Sequence, residues 1–472
     1  MGDEGAREPR VRLAGEDLTF WWYDSPVQPT TMAMLMVLDR RPDARRLRRA
    51  FDRAIAAVPR LAQRVRDAPL DLTLPHWERD PTFDLDYHVR RHALSGRGDL
   101  EELFREIAPA YETPFDRSRP LWEARVYEGI EGGRSALFFK LHHAVADGVG
   151  GNAIFAALTD AEQDPETDGW AGVAHVPRGA WAPESSLGAR VLDAVRDRVA
   201  LDLERAAAAT GTVVDVLRHP EKIGRALEAL RSLAASLSFE SGSPLKTSVG
   251  RARRLSGIAL PFAQVRAMRH ALGGAMIDVI LTIMARAVGR WYATHEMGQV
   301  RELMTLVPVN LRKPEEWSDK ANVGNVATGI LVLLPIAIAD PLESFHEIHR
   351  RMEEKKADPG SSATPVLAEV LSVLPRGVLT WLAEATFGSV DFIVTNVPGL
   401  LVPRYLAGAE ILAAYPFAPI AMKSPASVAL YGYRDHLFIG LNTDAVVMSD
   451  AGVFETLVVE AFEELRDAAG VG

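Results

Sequence analysis

Two adjacent histidines lie just ahead of an aspartate and a glycine in the segment Lys140-Leu141-His142-His143-Ala144-Val145-Ala146-Asp147-Gly148. Imidazole, with an unperturbed pKa of about 6.5, is suited to taking the proton of an alcohol near neutral pH. The run SALFFKLHH reads as a strand, and consecutive side chains on a strand point to opposite faces. If the strand continues that far, at most one of His142 and His143 enters a given cleft. The helical pattern that begins after Gly148 puts the motif at a strand-to-helix junction, where a rigid strand end meets an accessible turn. Asp147 is expected to act mainly structurally, by fixing the turn or pairing with an arginine, and Gly148 permits a backbone shape that other residues resist. A histidine taken alone is more often a hydrogen-bonded core residue; the complete motif reverses that reading.

Other chemistries find less support. His142, His143 and Asp147 are of metal-ligating types, but opposed histidine faces and the lack of a nearby HExxH-like pair argue against a metal site. The sequence has no GxSxG elbow, no GxxxxGK[ST] phosphate loop and no convincing GxGxxG. With no cysteine there is no disulfide, thiolate metal site or cysteine nucleophile. The net charge of −10 argues against general affinity for nucleic acid, which needs a concentrated cationic surface.

The elements that position the motif follow from length and patterning. At 472 residues, 48% apolar and 25% charged, the chain is expected to be globular and to exceed one core, so two lobes are the starting expectation. Strands are expected at Thr31–Leu38, over LWEARVYEG and over SALFFKLHH, with helices carrying Leu47, Phe51, Ile55 and Val58 and spanning GDLEELFREIAPAY. The Asp-, Glu-, Pro- and Gly-rich stretch from Asp160 to about Trp181 reads as a linker, and Leu187–Leu237 as helices joining the lobes, interrupted at His219. The second half alternates again: a strand near Leu255, a helix from Pro261, a long helix from Ile277, then strands at Leu303–Val309, Thr328–Ile338, Val390–Asn396, Val428–Tyr433 and Leu437–Leu441, and a closing helix from Val453. This divides the chain into an N-terminal lobe at 1–165, a helical linker at 166–247 and a C-terminal lobe at 248–472. The N-terminal segment MGDEGAREPRVRLAGED lacks the pattern of a secretory signal, and the longest apolar stretch, Ala327 to Ala339, falls short of the ~20 residues of a spanning helix.

HHAVADG, the FDRSRPLWE segment with Pro120, Leu121 and Trp122, FDLDYHV, PVNLR at Pro308–Arg312, the pair Gly324-Asn325, TNVPGL at Thr395–Leu400 and Tyr431-Gly432 occur in this order. In them the chain resembles, over nearly its whole length, the bacterial wax ester synthase/diacylglycerol acyltransferase family. That family belongs to the CoA-dependent acyltransferases built on the chloramphenicol acetyltransferase-like fold. The resemblance implies an α/β (α+β) protein of two such lobes, each a mixed sheet with flanking helices, joined by a helical linker. It maps the catalytic base of HHxxxDG to His143, with Asp147, His142 and Gly148 supporting the motif. Two departures stand out: Ile277-Asp278 replaces a frequent Asn-Asp pair, and TNVPGL replaces SNVPGP.

Pro120 and Trp122 are expected to be structural. Asn396 is expected either to meet substrate or to belong to a tight turn in which Gly399 supplies a permissive backbone. Arg312 is expected at a CoA phosphate or, more commonly, a carboxylate. Asn325 and Asp278 complete the candidate substrate-binding set, Asp278 having the alternative of a favourable charge at a helix N-terminus.

The implied reaction moves a long-chain acyl group from acyl-CoA, a co-substrate with no bound cofactor, to a long-chain alcohol or a diacylglycerol. A cytoplasmic protein is expected from the N-terminal segment, and such lipids imply peripheral association at membrane or lipid-droplet surfaces, through the arginine-containing linker helices. Two other readings keep the fold: acylation of a specialised alcohol or an amine from CoA or a carrier-protein thioester, and a non-catalytic lipid-binding homologue.

Overall fold

The computed structural model describes residues 11–13, 15–146, 148–165, 186–218, 239–297, 300–310, 327–357, 377, 384–386, 388–420 and 423–471. The first half runs β1 (Val11–Arg12), α1 (Gly15–Tyr23), β2 (Thr31–Leu38), α2 (Ala44–Ala57), β3 (Gln63–Arg66), β4 (His76–Arg79), α3 (Leu85–His88), β5 (Val89–Ala93), α4 (Leu100–Glu112), β6 (Trp122–Ile130), β7 (Arg134–His142) and α5 (Gly148–Leu158). After α6 (Leu187–Arg218) come β8 (Arg253–Pro261), α7 (Phe262–Leu272), α8 (Met276–Thr294), β9 (Glu302–Asn310), β10 (Ala327–Pro335), α9 (Pro341–Ala357), β11 (Phe392–Leu400), β12 (Tyr405–Leu406), β13 (Ala409–Phe417), β14 (Ala426–Tyr433), β15 (His436–Asp444) and α10 (Ala451–Ala468).

Helix ends follow local chemistry. Asp43 accepts the backbone N–H groups of Arg45 and Arg46 to start α2, and Asp99 accepts that of Glu102 to start α4, satisfying donors that have no partner within the helix. On α2 the apolar positions Leu47, Phe51 and Ile55 recur one turn apart and are buried. The apolar stretch that begins at Ala327 ends as a strand at Pro335, on β10 at the edge of its sheet, where a residue without an N–H is tolerated.

Two six-stranded mixed sheets carry the fold, in the orders β12-β13-β2-β7-β6-β5 and β10-β9-β11-β14-β15-β8. The first is antiparallel except where β5 runs parallel to β6, and in the second β11 runs parallel to both β9 and β14. This is the mixed α/β architecture expected from the sequence. One core packs around the first sheet and a second around α8, of which thirteen residues are buried. The interrupting segment at His219 lies outside the described residues.

The sheets do not follow the order of the chain. β13, from the second half, pairs antiparallel with β2 from Ile411↔Leu38 to Phe417↔Ala33. The main chains approach closely where it crosses: a Cβ added at Gly440 on β15 would stand 1.6 Å from the carbonyl oxygen of Pro416. Neither β12–β13 nor α9 is among the elements anticipated from the sequence.

Candidate active site

β7 ends at His142 and the chain turns at His143. Phe139, Leu141 and His143 line a cavity, whereas Lys140 and His142 are each 1% exposed and are absent from its wall. The two adjacent histidines therefore diverge, the alternation of β7 carrying one residue past its end. Lys140 Nζ donates to the carbonyls of Ala110 and Thr113 at 2.7 and 2.8 Å. Burial pushes its pKa down to about 8, although Glu123 stands 3.5 Å away.

His142 organises the turn. Its Nδ1 accepts the Ala144 N–H at 3.0 Å, so the ring proton is assigned to Nε2, which lies 2.9 Å from Thr30 Oγ1 and 3.7 Å from Asp24 Oδ2. The backbone N–H of His143 donates to the Thr30 carbonyl at 2.8 Å, and Asp24 Oδ1 accepts the Thr30 N–H at 2.9 Å. Arg117 donates to Asp24 Oδ2 at 3.1 Å and lies over the Trp21 ring, 4.0 Å from its centroid. Burial works against the charge of Asp24, yet His142, the Thr30 N–H and Arg117 together hold its carboxyl below the ordinary carboxylate range. Nothing in the spacing of Asp24 and Thr30 marks them, because they reach the motif through the fold.

The PLW element sits directly behind the motif. The Leu121 carbonyl accepts the His142 N–H at 2.9 Å, and Pro120 is buried. Trp122 is 2% exposed, donates its indole N–H to the Leu61 carbonyl at 2.7 Å and stacks on His88 with centroids 4.5 Å apart. His88, from the FDLDYHV segment, is pushed down to about 4 by burial, although its Nδ1 lies 2.8 Å from the Trp122 carbonyl oxygen.

The cavity has a volume of about 220 Å³ and draws on both halves of the chain. From the first half come Phe20, Met32, Met34 and Met36, the β7 residues and the face of α5 from Gly151 to Leu158; from the second come Leu306, Pro308, Ile393, Thr395, Asn396 and Phe417. Of the described wall residues, His143, Asn152, Thr395 and Asn396 bring polar side chains. His143 is half-buried and stacked on Phe20, with centroids 3.9 Å apart and planes 23° apart. Gly148 opens α5, which flanks the cavity.

The structure thus brings His143 and Asn396 to one cavity. Asp147, Arg312 and Asn325 lie outside the described residues. Asp278 does not line the cavity. It is fully buried at the N-terminus of α8, where Oδ2 accepts the Ala275 N–H at 2.8 Å and lies 2.7 Å from His349 Nδ1, matching the helix-terminus alternative. Gly399 corrects a second expectation: its φ is not among the positive values, and what demands glycine there is contact, since an added Cβ would fall 1.6 Å from the Gly432 carbonyl oxygen. The NVPG and Tyr431-Gly432 elements are therefore neighbours, on the parallel strands β11 and β14.

Comparison with known proteins shows the family. The wax ester synthase/diacylglycerol acyltransferase catalytic domain matches residues 13–280, and the WS/DGAT C-terminal domain matches residues 323–466. A putative diacylglycerol O-acyltransferase of Mycobacterium tuberculosis is 30% identical over 99% of this chain and 94% of its own length. A probable diacylglycerol O-acyltransferase of the same species is 28% identical over 92% of this chain and 90% of its own. Among solved structures, the wax ester synthase/diacylglycerol acyltransferase of Marinobacter aquaeolei VT8 superposes with a TM-score of 0.66 at 20% identity, covering 98% of this chain and all of that one. The first condensation domain of the CDA synthetase gives 0.61 at 18% identity, over 98% of this chain and 97% of its own, a likeness of fold. The chain belongs to the wax ester synthase/diacylglycerol acyltransferase family, and is an acyltransferase of that family.

Proposed function

We propose that this acyltransferase moves a long-chain acyl group from acyl-CoA to a long-chain alcohol or a diacylglycerol, with His143 as general base. The observation that carries the reading is the position of His143, a titratable ring on the wall of a mainly apolar cavity between the two halves of the chain. His143 takes the acceptor hydroxyl proton while that oxygen bonds to the thioester carbonyl carbon. As the tetrahedral intermediate collapses, the carbon–sulfur bond breaks and the imidazolium returns the proton to the departing thiolate. No covalent enzyme intermediate is needed. Holding both substrates in one cavity supplies acceleration through proximity. Asn396, exposed on the same wall, is assigned to orienting substrate.

No single helix among the described residues is long and apolar enough to cross a membrane. For peripheral contact with a lipid surface, support comes from α6, on which Leu187, Leu192, Val195, Val199 and Leu203 are exposed. Flotation with liposomes tests this, and failure to co-float removes it.

The central test is release of CoA thiol from palmitoyl-CoA with hexadecanol, with a diacylglycerol, or with no acceptor; the absence of cysteine keeps the thiol readout clean. Acceptor-dependent release is expected, falling ~10²–10⁴-fold in His143→Ala without loss of folding. Retained turnover in a well-folded His143→Ala protein would contradict the assignment.

A further inference from the structure

The cavity is unequal along its length. Along β2 its methionine wall is half-buried at Met32, opposite the buried Leu141, and at Met34. At the other extreme Met36 and Leu158 also line it, and each is only 1% exposed. The three methionines share one face of β2 because alternate residues do. The His143 N–H is bonded to Thr30 and Met36 pairs with Leu137, so six residue steps along the strand lead from the base's anchor to Met36, about 20 Å at ~3.3 Å each. α5 runs beside them from Gly151 to Leu158.

We propose that Met36, with Leu158, closes the inner end of the cavity and sets the maximum length of the acyl chain transferred. This rests on the assignment of His143 as the base. An apolar arm closed at Met36 would suit the acyl group better than the acceptor. The acyl chain is one unbranched tail whose bulky polar CoA stays outside, whereas a diacylglycerol carries two tails. An apolar cavity of about 150 Å³ takes up one benzene, so 220 Å³ accommodates only part of a long chain at rest. Met32 and Met34, unbranched and half-buried, are the side chains able to swing aside as the chain enters. Met36 is the third methionine on this path, and the buried one.

The test is kcat/KM for saturated acyl-CoA thioesters of rising length, with one fixed alcohol, in the wild type, Met36→Ala, Leu158→Ala and the volume-conserving Met36→Leu. Met36→Ala and Leu158→Ala should each move the upper limit to longer chains, raising the ratio of the next longer to the optimal donor roughly fourfold per added methylene. Met36→Leu should keep the wild-type limit. A parallel series of alcohols with one acyl donor should keep its profile in all variants. Unchanged donor profiles in folded Ala variants, with His143→Ala still inactive, would overturn the chain-length role alone, as would a shift confined to the alcohol series. A wild type that releases no CoA from any donor would remove the base assignment itself. Leu158→Ala, on a different element, keeps the test decisive if Met36→Ala fails to fold.

Discussion

His142 Nδ1 accepts the backbone N–H of Ala144 at 3.0 Å, so one histidine of the pair pins the turn on which the other is presented. Asp24 stands at the far side of the same ring and also accepts the Thr30 N–H. Because its carboxyl is held below the usual range, it contributes stability that is fully present above the unfolded pKa of about 3.9 and lost as pH falls through the lower native value. Asp24→Asn should therefore cost about 1–3 kcal/mol at pH 7 and lower kcat, with the stability gap closing below about pH 4. Urea denaturation at neutral and acid pH measures this; an equal gap at both would show that the carboxylate charge is irrelevant.

Gly399 and Gly432 make an asymmetric pair. A methyl group at Gly399 would collide with main chain at 1.6 Å, whereas at Gly432 the nearest atoms, on Leu401 and Phe262, are 3.5 Å away. Gly399→Ala should cost at least ~3 kcal/mol or prevent folding, and Gly432→Ala should stay within about 1 kcal/mol. Melting temperatures of the two variants decide it, and a mild Gly399→Ala would refute the close approach.

His88 makes stability depend on pH in a predictable window. Its native pKa of about 4 lies below the unfolded value near 6.5, so the unfolded chain binds the extra proton between them. The contribution is fully present above about pH 6.5 and is lost as pH falls toward 4, up to about 3 kcal/mol in all. His88→Phe, which keeps a ring against Trp122, should flatten the pH dependence of unfolding between 7 and 4.5. A variant with the wild-type slope would assign that dependence elsewhere.

Asp278 separates structure from chemistry. With its carboxylate bound to Ala275 N–H and His349 rather than at the cavity, Asp278→Ala should destabilise by about 1–3 kcal/mol. Turnover per folded molecule should remain within about threefold of the wild type, a difference of roughly 0.7 kcal/mol. A large loss of kcat in fully folded protein would return Asp278 to the site.

Much of this was legible where local pattern decides. The strand over Thr31–Leu38 matches its expected bounds, and SALFFKLHH ends one residue sooner than expected. The diverging faces of His142 and His143 are expected if the strand reaches that far, and they hold although it ends at His142. What the sequence hid is of long range. AEILAAYPF has no strict alternation, and its partner Thr31–Leu38 lies hundreds of residues earlier, so nothing local announces β13. Met32, Met34 and Met36 belong to an apolar strand with no mark of a site, and only the approach of the second half makes them a cavity wall. Asp24 and Thr30 lack any motif, and Gly399 looked like a turn glycine when crowding by a neighbouring strand is what demands it.

The crossing of β13 into the first sheet has a consequence for synthesis. Until Phe417 leaves the ribosome, about 380 residues after Leu38, β2 has no neighbour on one side and remains an open, methionine-rich edge. At ~5–20 residues per second that interval lasts roughly 20–75 s. A nascent chain, or one cut short before β13, exposes a strand that invites pairing with other copies, so fragments of the N-terminal half should aggregate on expression and recover when a segment containing 405–417 is supplied.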